Sequence, residues 1–368
     1  MNKQDFIEKL NHTKPFLMSQ DFIPILTHFC FDEKHVSAYN DVAGISISME
    51  SELHCAVPGQ LLLKMLGTIG TETVRIEMPT EGTVKLISGK TNVKLPSLPP
   101  EDFVFELPDI VDVPAVKVPK EFLIGLSKCL ISVGQDPSHP EQTGVAWAVE
   151  KNKISIYSTN NRSISKYSLE QEGIGFEKEQ EKLKVIIPAF FCEEIIALAD
   201  VYAGNDDSID LYIQDITKGS KFVVAILGKH GSCKIFTRLI NGEFMNFEGV
   251  IERMLEGANS DSFVEIPEGL AATLERASLL LSVTDNNNSE VSVNEDEVTL
   301  LSESSFGKAL DVIKFPKPLG TFRFDVDPVL IQNGFKVANK IALLPKLIVL
   351  TTDSKNFTHL ISHSNTGA

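Results

Sequence analysis

The chain has 368 residues, 43% hydrophobic and 23% charged, proportions that sustain packed cores and exclude wholesale disorder. At roughly 100 to 200 residues per domain it holds two or three domains, three being the better fit. A formal charge of -16 excludes a protein coated in basic surface, although an acidic exterior around a basic lining sums to the same value.

The opening MNKQDFIEKL has no apolar signal-peptide run, and no apolar stretch reaches the ~20 residues of a membrane span, so a soluble cytoplasmic protein is expected. Within it, Gln4–His12 has a helical period, and strand-like Ile25–Phe31 follows. Val57-Pro58 then opens a helix over Gly59–Leu66, with proline near the helix start, where its missing N–H costs nothing. Alternating apolar residues predict strands in Thr73–Met78 and Gly82–Leu98, and LPDIVDVP (Leu107–Pro114) reads as a linker.

The same order returns. Val118-Pro119 opens a helix over Lys120–Ser132, strands follow at Gly144–Val149 and Lys153–Thr159, and Ile187-Pro188 opens a helix over Ala189–Asp200. Strands at Ser208–Asp215 and Lys221–Ile240 lead to a polar stretch, Glu256–Ser262. Ile266-Pro267 opens a third round with Glu268–Leu281 and a strand at Glu297–Ser304. Asp327-Pro328 opens Val329–Lys340 before strands at Lys346–Asp353 and Asn356–His363.

Helix, strands, helix, strands, written three times, predicts an α+β fold of three similar domains, each with two helices packed on an antiparallel sheet. Boundaries are expected at 1–112, 113–256 and 257–368. The alternative is three unrelated α+β domains, which leaves the matching helix starts unexplained.

Catalytic signatures are missing: the sequence contains no GxGxxG, GxxxxGK[ST], GxSxG or HExxH. The five cysteines have neither CxxC spacing nor a histidine cluster, and read as reduced core residues with no metal and no cofactor. His28, His35, His139, His230, His359 and His363 are scattered over strands and loops, and Asn294–Glu297 reads as a solvated turn.

The segments Ile23–Ile47, VPGQLLLKML and above all SGKTNVKLPSLPPEDF (Ser88–Phe103) resemble the first domain of bacterial-type sliding clamps, the β subunit of the replicative DNA polymerase. Tyr157–Leu169 and Thr237–Ile251 are similar to parts of that family's middle domain, and the last domain matches mainly by pattern. The resemblance implies a non-enzymatic processivity factor, a homodimer closing into a six-domain ring around double-stranded DNA without reading its sequence. It also implies a replicative polymerase and a clamp loader as partners.

If the helices line the hole, their polar and basic faces offer as DNA-facing candidates Lys3, Lys9, Lys64, Lys117, Lys120, Lys128, Arg276, Gln332, Lys336 and Lys340. Gln332, Lys336 and Lys340 are expected on one arc of the last helix, and Lys117, Lys120 and Lys128 along the helix after Val118. Helix Ala189–Asp200 breaks the pattern, offering Glu193, Glu194 and Asp200. The partner cleft is expected at Thr159, Ile164, Met245, Val250 and Leu360, with Asn161, Arg162 and Ser362 at its margins. Phe103, Phe105, Leu279 and Leu280 match the dimer interface. Two departures, Asn160-Asn161-Arg162 in place of an Asp-Gly-basic turn and the ending LISHSNTGA, suggest an altered peptide preference. The competing reading is a clamp-like scaffold or inhibitor that does not encircle DNA, which the acidic helix favours.

Overall fold

The computed structural model describes residues 2–20, 23–103, 105–178, 181–203, 208–214, 221–228, 231–243, 245–256, 260–281, 288–344 and 346–363. His230, the boundary residue Gly257 and the SNTGA ending fall outside the described residues. Contacts group the chain into two compact units, residues 1–120, 173–177 and 190–239 in one and residues 121–172, 178–189 and 240–368 in the other.

The first unit begins with α1 (Lys3–Thr13), capped by the Asn2 side chain, which accepts from Gln4 N and Asp5 N. A meander follows of β1 (His28–Asp32), β2 (His35–Tyr39), β3 (Ala43–Ser48) and β4 (His54–Pro58). Helix α2 (Gly59–Thr68) buries Leu62 and Leu66 and leaves Lys64 in solvent. Strands β5 (Arg75–Thr80), β6 (Thr83–Ser88) and β7 (Thr91–Pro96) make a separate three-stranded sheet. The unit is completed by β8 (Ala115–Pro119), and further along the chain by α4 (Ala189–Tyr202), β12 (Ser208–Gln214), β13 (Phe222–Leu227) and β14 (Cys233–Arg238).

The strand order is β8-β12-β13-β14-β3-β2-β1-β4. Strand β14 is therefore zipped directly to β3 in five register pairs, from Cys233↔Ile47 to Thr237↔Ala43. On one face Phe105 stacks on Tyr39 at 5.0 Å and covers Gly44, where any Cβ would fall inside its ring.

The second unit opens with α3 (Lys120–Cys129), then β9 (Gly144–Thr159), β10 (Ser163–Gly175) and β11 (Leu183–Pro188). Strand β9 joins the two predicted strands into one of 16 residues, with Asn152 at φ 58 where the break was expected. Helix α5 (Phe247–Met254) was not predicted. It starts at Asn246, whose side chain accepts from Gly249 N, and buries Phe247 and Ile251 at i, i+4 spacing.

The last segment supplies β15 (Val264–Glu265), α6 (Leu270–Leu281), β16 (Ser289–Asn294), β17 (Glu297–Ser304), β18 (Gly307–Lys314) and β19 (Thr321–Val326). It ends with α7 (Pro328–Phe335), β20 (Lys340–Leu344), β21 (Leu347–Thr351) and β22 (Phe357–Ser362). Strands run β15-β20-β21-β22-β10 in one sheet, and β18-β17-β16-β19 in another, which leaves β18 an edge. All five cysteines are buried, and none forms a disulfide.

Candidate partner cleft and DNA-facing positions

The eight cleft candidates all fall in the second unit, and the β10–β22 ladder brings several together. Ile164 and Leu360 are register partners, so their side chains share one sheet face. Helix α5 covers that face, packing Phe247 and Ile251 with Tyr157, Val349 and Leu360, with Ile164 at the border of the cluster. Val250 is half-buried on α5, and Met245, just before it, is 38% exposed. Leu360, at 1%, is floor and not wall.

The margin is a tightly specified turn. Asn160 Oδ1 accepts from Arg162 N at 3.1 Å and Ser163 N at 2.8 Å, while Asn161, at φ 66, accepts from Gln142 Nε2. Asparagine is among the few side chains that tolerate that left-handed backbone, so it can stand where a glycine would serve. Thr159 Oγ1 donates to Ser163 O, and Ser362 N and Oγ both donate to Arg162 O at 2.9 Å. The Arg162 guanidinium bonds Asp327 Oδ2 at 3.0 Å, and Asp327 Oδ1 caps α7 by accepting from Val329 N.

These burials separate two substitutions. Met245→Asp places a charge on a partly solvated site and should change stability by about 0.5 kcal/mol or less, yet lower affinity for an apolar docking peptide about thirtyfold or more. Leu360→Asp buries a carboxylate in the packed floor and should lower the folding free energy by about 3 kcal/mol or more. Thermal melts beside peptide titrations check both. Equal affinity of wild type and Met245→Asp would move the cleft away from α5.

Beneath the cleft, the Ser132 and Ser165 hydroxyls lie 3.2 and 2.9 Å from His359 Nδ1. Burial drives the imidazole from 6.5 down to about 4, so the folded chain keeps it neutral. Between those values the unfolded chain binds a proton that the folded chain refuses. The stability held by neutral His359 is therefore complete above pH 6.5 and is lost as pH falls towards 4, at up to about 1.4 kcal/mol per pH unit. Melting temperature of the wild type should accordingly fall more steeply over this range than that of His359→Gln. His28 and His363, also lowered by burial, are common to both proteins and cancel in the comparison. Superimposable pH profiles would exclude His359 as the group.

The DNA-facing candidates divide. Lys64 and Lys336 are exposed, and Lys120 is half-buried at the start of α3. Lys3 Nζ donates to Ile69 O, and Lys9 lies 3.9 Å from Asp5. Arg276 is paired with Asp311 at 2.5 Å, and Gln332 accepts from Ser278 Oγ. Lys128 folds over the Phe357 ring at 5.6 Å, where desolvation lowers its pKa.

Two helix placements need correction. Lys117 lies on β8, 3.4 Å from Glu177, because the β pairing of Lys117 with Asp210 extends to the proline before α3. Lys340 opens β20 and bonds Asp353 at 2.6 Å, because α7 stops at Phe335 and the chain turns through Lys336 into the next strand. The three-residue arc Gln332, Lys336, Lys340 is thus not one helix face. On α4, burial and the neighbouring Glu193 raise the Glu194 carboxyl to about 7.

The interface candidates also divide. Leu279 is 69% exposed on α6, which packs on β17 and on the edge strand β18, itself carrying Leu310 (63%) and Val312 (61%) outward. Phe105 is engaged inside its own unit by Tyr39 and Phe236, and Phe103 packs against the small cluster around Ile25 and Leu26. Among the described residues, no group of three or more His, Cys, Asp or Glu side chains could hold a metal, and no helix is long and apolar enough to cross a membrane.

The fold is that of the DNA polymerase sliding clamps. The chain is similar to the crystal structure of the sliding clamp from Bacillus subtilis over 100% of its length and 98% of that chain, with TM-score 0.81 and 19% identity. It is also similar to the Helicobacter pylori β clamp bound to a DNA ligase peptide, with TM-score 0.77, 16% identity and coverage of 99% and 98%. In sequence it is 22% identical over 347 residues to the beta sliding clamp of Staphylococcus aureus (strain Mu50), spanning 89% of this chain and 83% of that protein. No protein-family model matches. The chain thus shares the fold of the bacterial β clamps from end to end.

Proposed function

We propose that this protein is a DNA sliding clamp, a processivity factor with no catalysis of its own, and that it acts in the cytoplasm. In this reading two chains, each of domains 1–112, 113–256 and 257–368, close head to tail around double-stranded DNA. A clamp loader opens the ring, and the replicative polymerase and other partners dock by peptide in the cleft between Ile164, Leu360, Val250 and Met245. The observation that carries the reading is the end-to-end likeness to clamp structures, 100% of this chain against 98% of the Bacillus subtilis clamp. Two features support it: a cleft set that converges on one ladder, and an apolar edge at β18 and Leu279 that solvent exposure leaves unexplained.

Phe103 and Phe105 enter the proposed seam only as the packed support of the first unit, with Leu279 and Leu280 as its contact residues. Duplex contact falls first to the exposed Lys64 and Lys336, with Lys3, Lys9, Lys117, Lys120, Lys128, Arg276, Gln332 and Lys340 as the remaining candidates. The acids of α4 favour a scaffold that never encircles DNA. Retention on closed against cut circular duplex separates the two.

A further inference from the structure

On the same sheet face as the cleft, a second basin of about 400 Å³ lies further along the β10–β22 ladder, between Lys166, Ser168, Thr358 and the α5 residues Ile251 and Leu255. Its rim carries Lys153 and Lys355. Lys166 is engaged by Glu248 at 2.8 Å, a bond that also ties α5 to the sheet. Lys153 and Lys355 make no ion pair within 4.0 Å among the described residues, and Glu170 is the carboxylate lining the basin. Lys153 acts on Glu248 only at longer range, so in a chain of net charge -16 two amines without a close ion pair around one concavity stand out.

We propose that this basin receives an acidic segment of the same partner peptide whose apolar anchor occupies the cleft. The inference rests on the cleft reading above. Continuity argues for a shared occupant: Ile164 and Ser168 lie four residues apart on β10, about 13 Å, which an extended peptide covers in about four residues. Complementarity argues for its charge, because the basin combines the Lys153 and Lys355 amines, neither in a close ion pair, with the aliphatic floor of Ile251 and Leu255, suited to the methylenes of glutamate.

Four synthetic peptides test this on the full chain: an apolar docking pentapeptide, the same peptide extended by a short spacer and three glutamates at its N-terminus, the same extension at its C-terminus, and the glutamate segment alone. The acidic extension at one end should raise affinity about three- to tenfold at low salt, a gain that shrinks as salt is added. Lys153→Glu/Lys355→Glu should erase the gain while leaving the plain pentapeptide unchanged, and Lys153→Arg/Lys355→Arg should retain it. An equal gain in the double glutamate variant, or no gain in wild type, overturns the proposal. If no pentapeptide binds but the acidic segment binds wild type and not the double glutamate variant, the cleft reading fails and the shared occupant fails with it, while the basin keeps its acidic ligand.

Discussion

Loaded on nicked circular duplex, the protein should remain through a high-salt wash and leave promptly once the circle is cut to give free ends. A ring is held by closure, and closure is indifferent to ionic strength. Ordinary electrostatic binding behaves otherwise, since releasing counterions from six or more phosphates lowers affinity roughly a thousandfold or more between 50 and 200 mM salt. Alanine at Lys64, Lys120 and Lys336 should slow loading, which draws on long-range attraction, without shortening residence on the closed circle. Lys340, ion-paired with Asp353, and Lys128, packed on Phe357, are left unchanged because their loss would also disturb the fold. Equal, salt-sensitive lifetimes on circular and linear DNA would reject encirclement and leave the scaffold reading.

Leu279→Asp combined with Leu310→Asp should turn the proposed dimer into monomer without unfolding it. Both side chains are more than half exposed in the single chain, so the isolated fold loses little. In a closed seam both carboxylates would be desolvated without partners, at a cost of several kcal/mol, enough to shift a dimer to monomer at micromolar concentration. Leu280 is the poorer choice, being half-buried against its own unit. Light scattering reads the mass and circular dichroism the fold; a dimer of unchanged mass would place the seam elsewhere.

The repeat was legible because it is written in local chemistry: Pro58, Pro119, Pro188 and Pro328 each stand beside a helix start, and the period switches from helical to alternating after it. What escaped was decided by tertiary pairing. Lys117 reads as helical by proximity to Pro119, but strand pairing with β12 claims it. Lys340 continues an acceptable helical arc on paper, but β20 needs it to pair with Thr351. Helix α5 was hidden by its length, eight residues with one glycine, although Asn246 marked its start. For the cleft, position predicted which residues gather, while burial, which separates Leu360 from Met245, depends on α5 lying over the ladder. Whether Phe105 faces a partner or its own chain was likewise unreadable, since its complement, Gly44, lies sixty-one positions earlier.

The β3–β14 zipper has a mechanical consequence. Five consecutive register pairs, flanked by buried Ile45, Ile47 and Ile235, make the junction between the first repeat and the end of the middle one a continuous sheet and not a hinge. Bending a sheet about its strand axis breaks no rungs, but shearing or parting these strands would lose several hydrogen bonds and expose apolar surface together. A ring forced open to admit a duplex yields at its most compliant joint. In the proposed assembly that joint is the seam between chains, where no covalent link crosses, so the β3–β14 junction would act as a stiff lever, transmitting a loader's push to the seam.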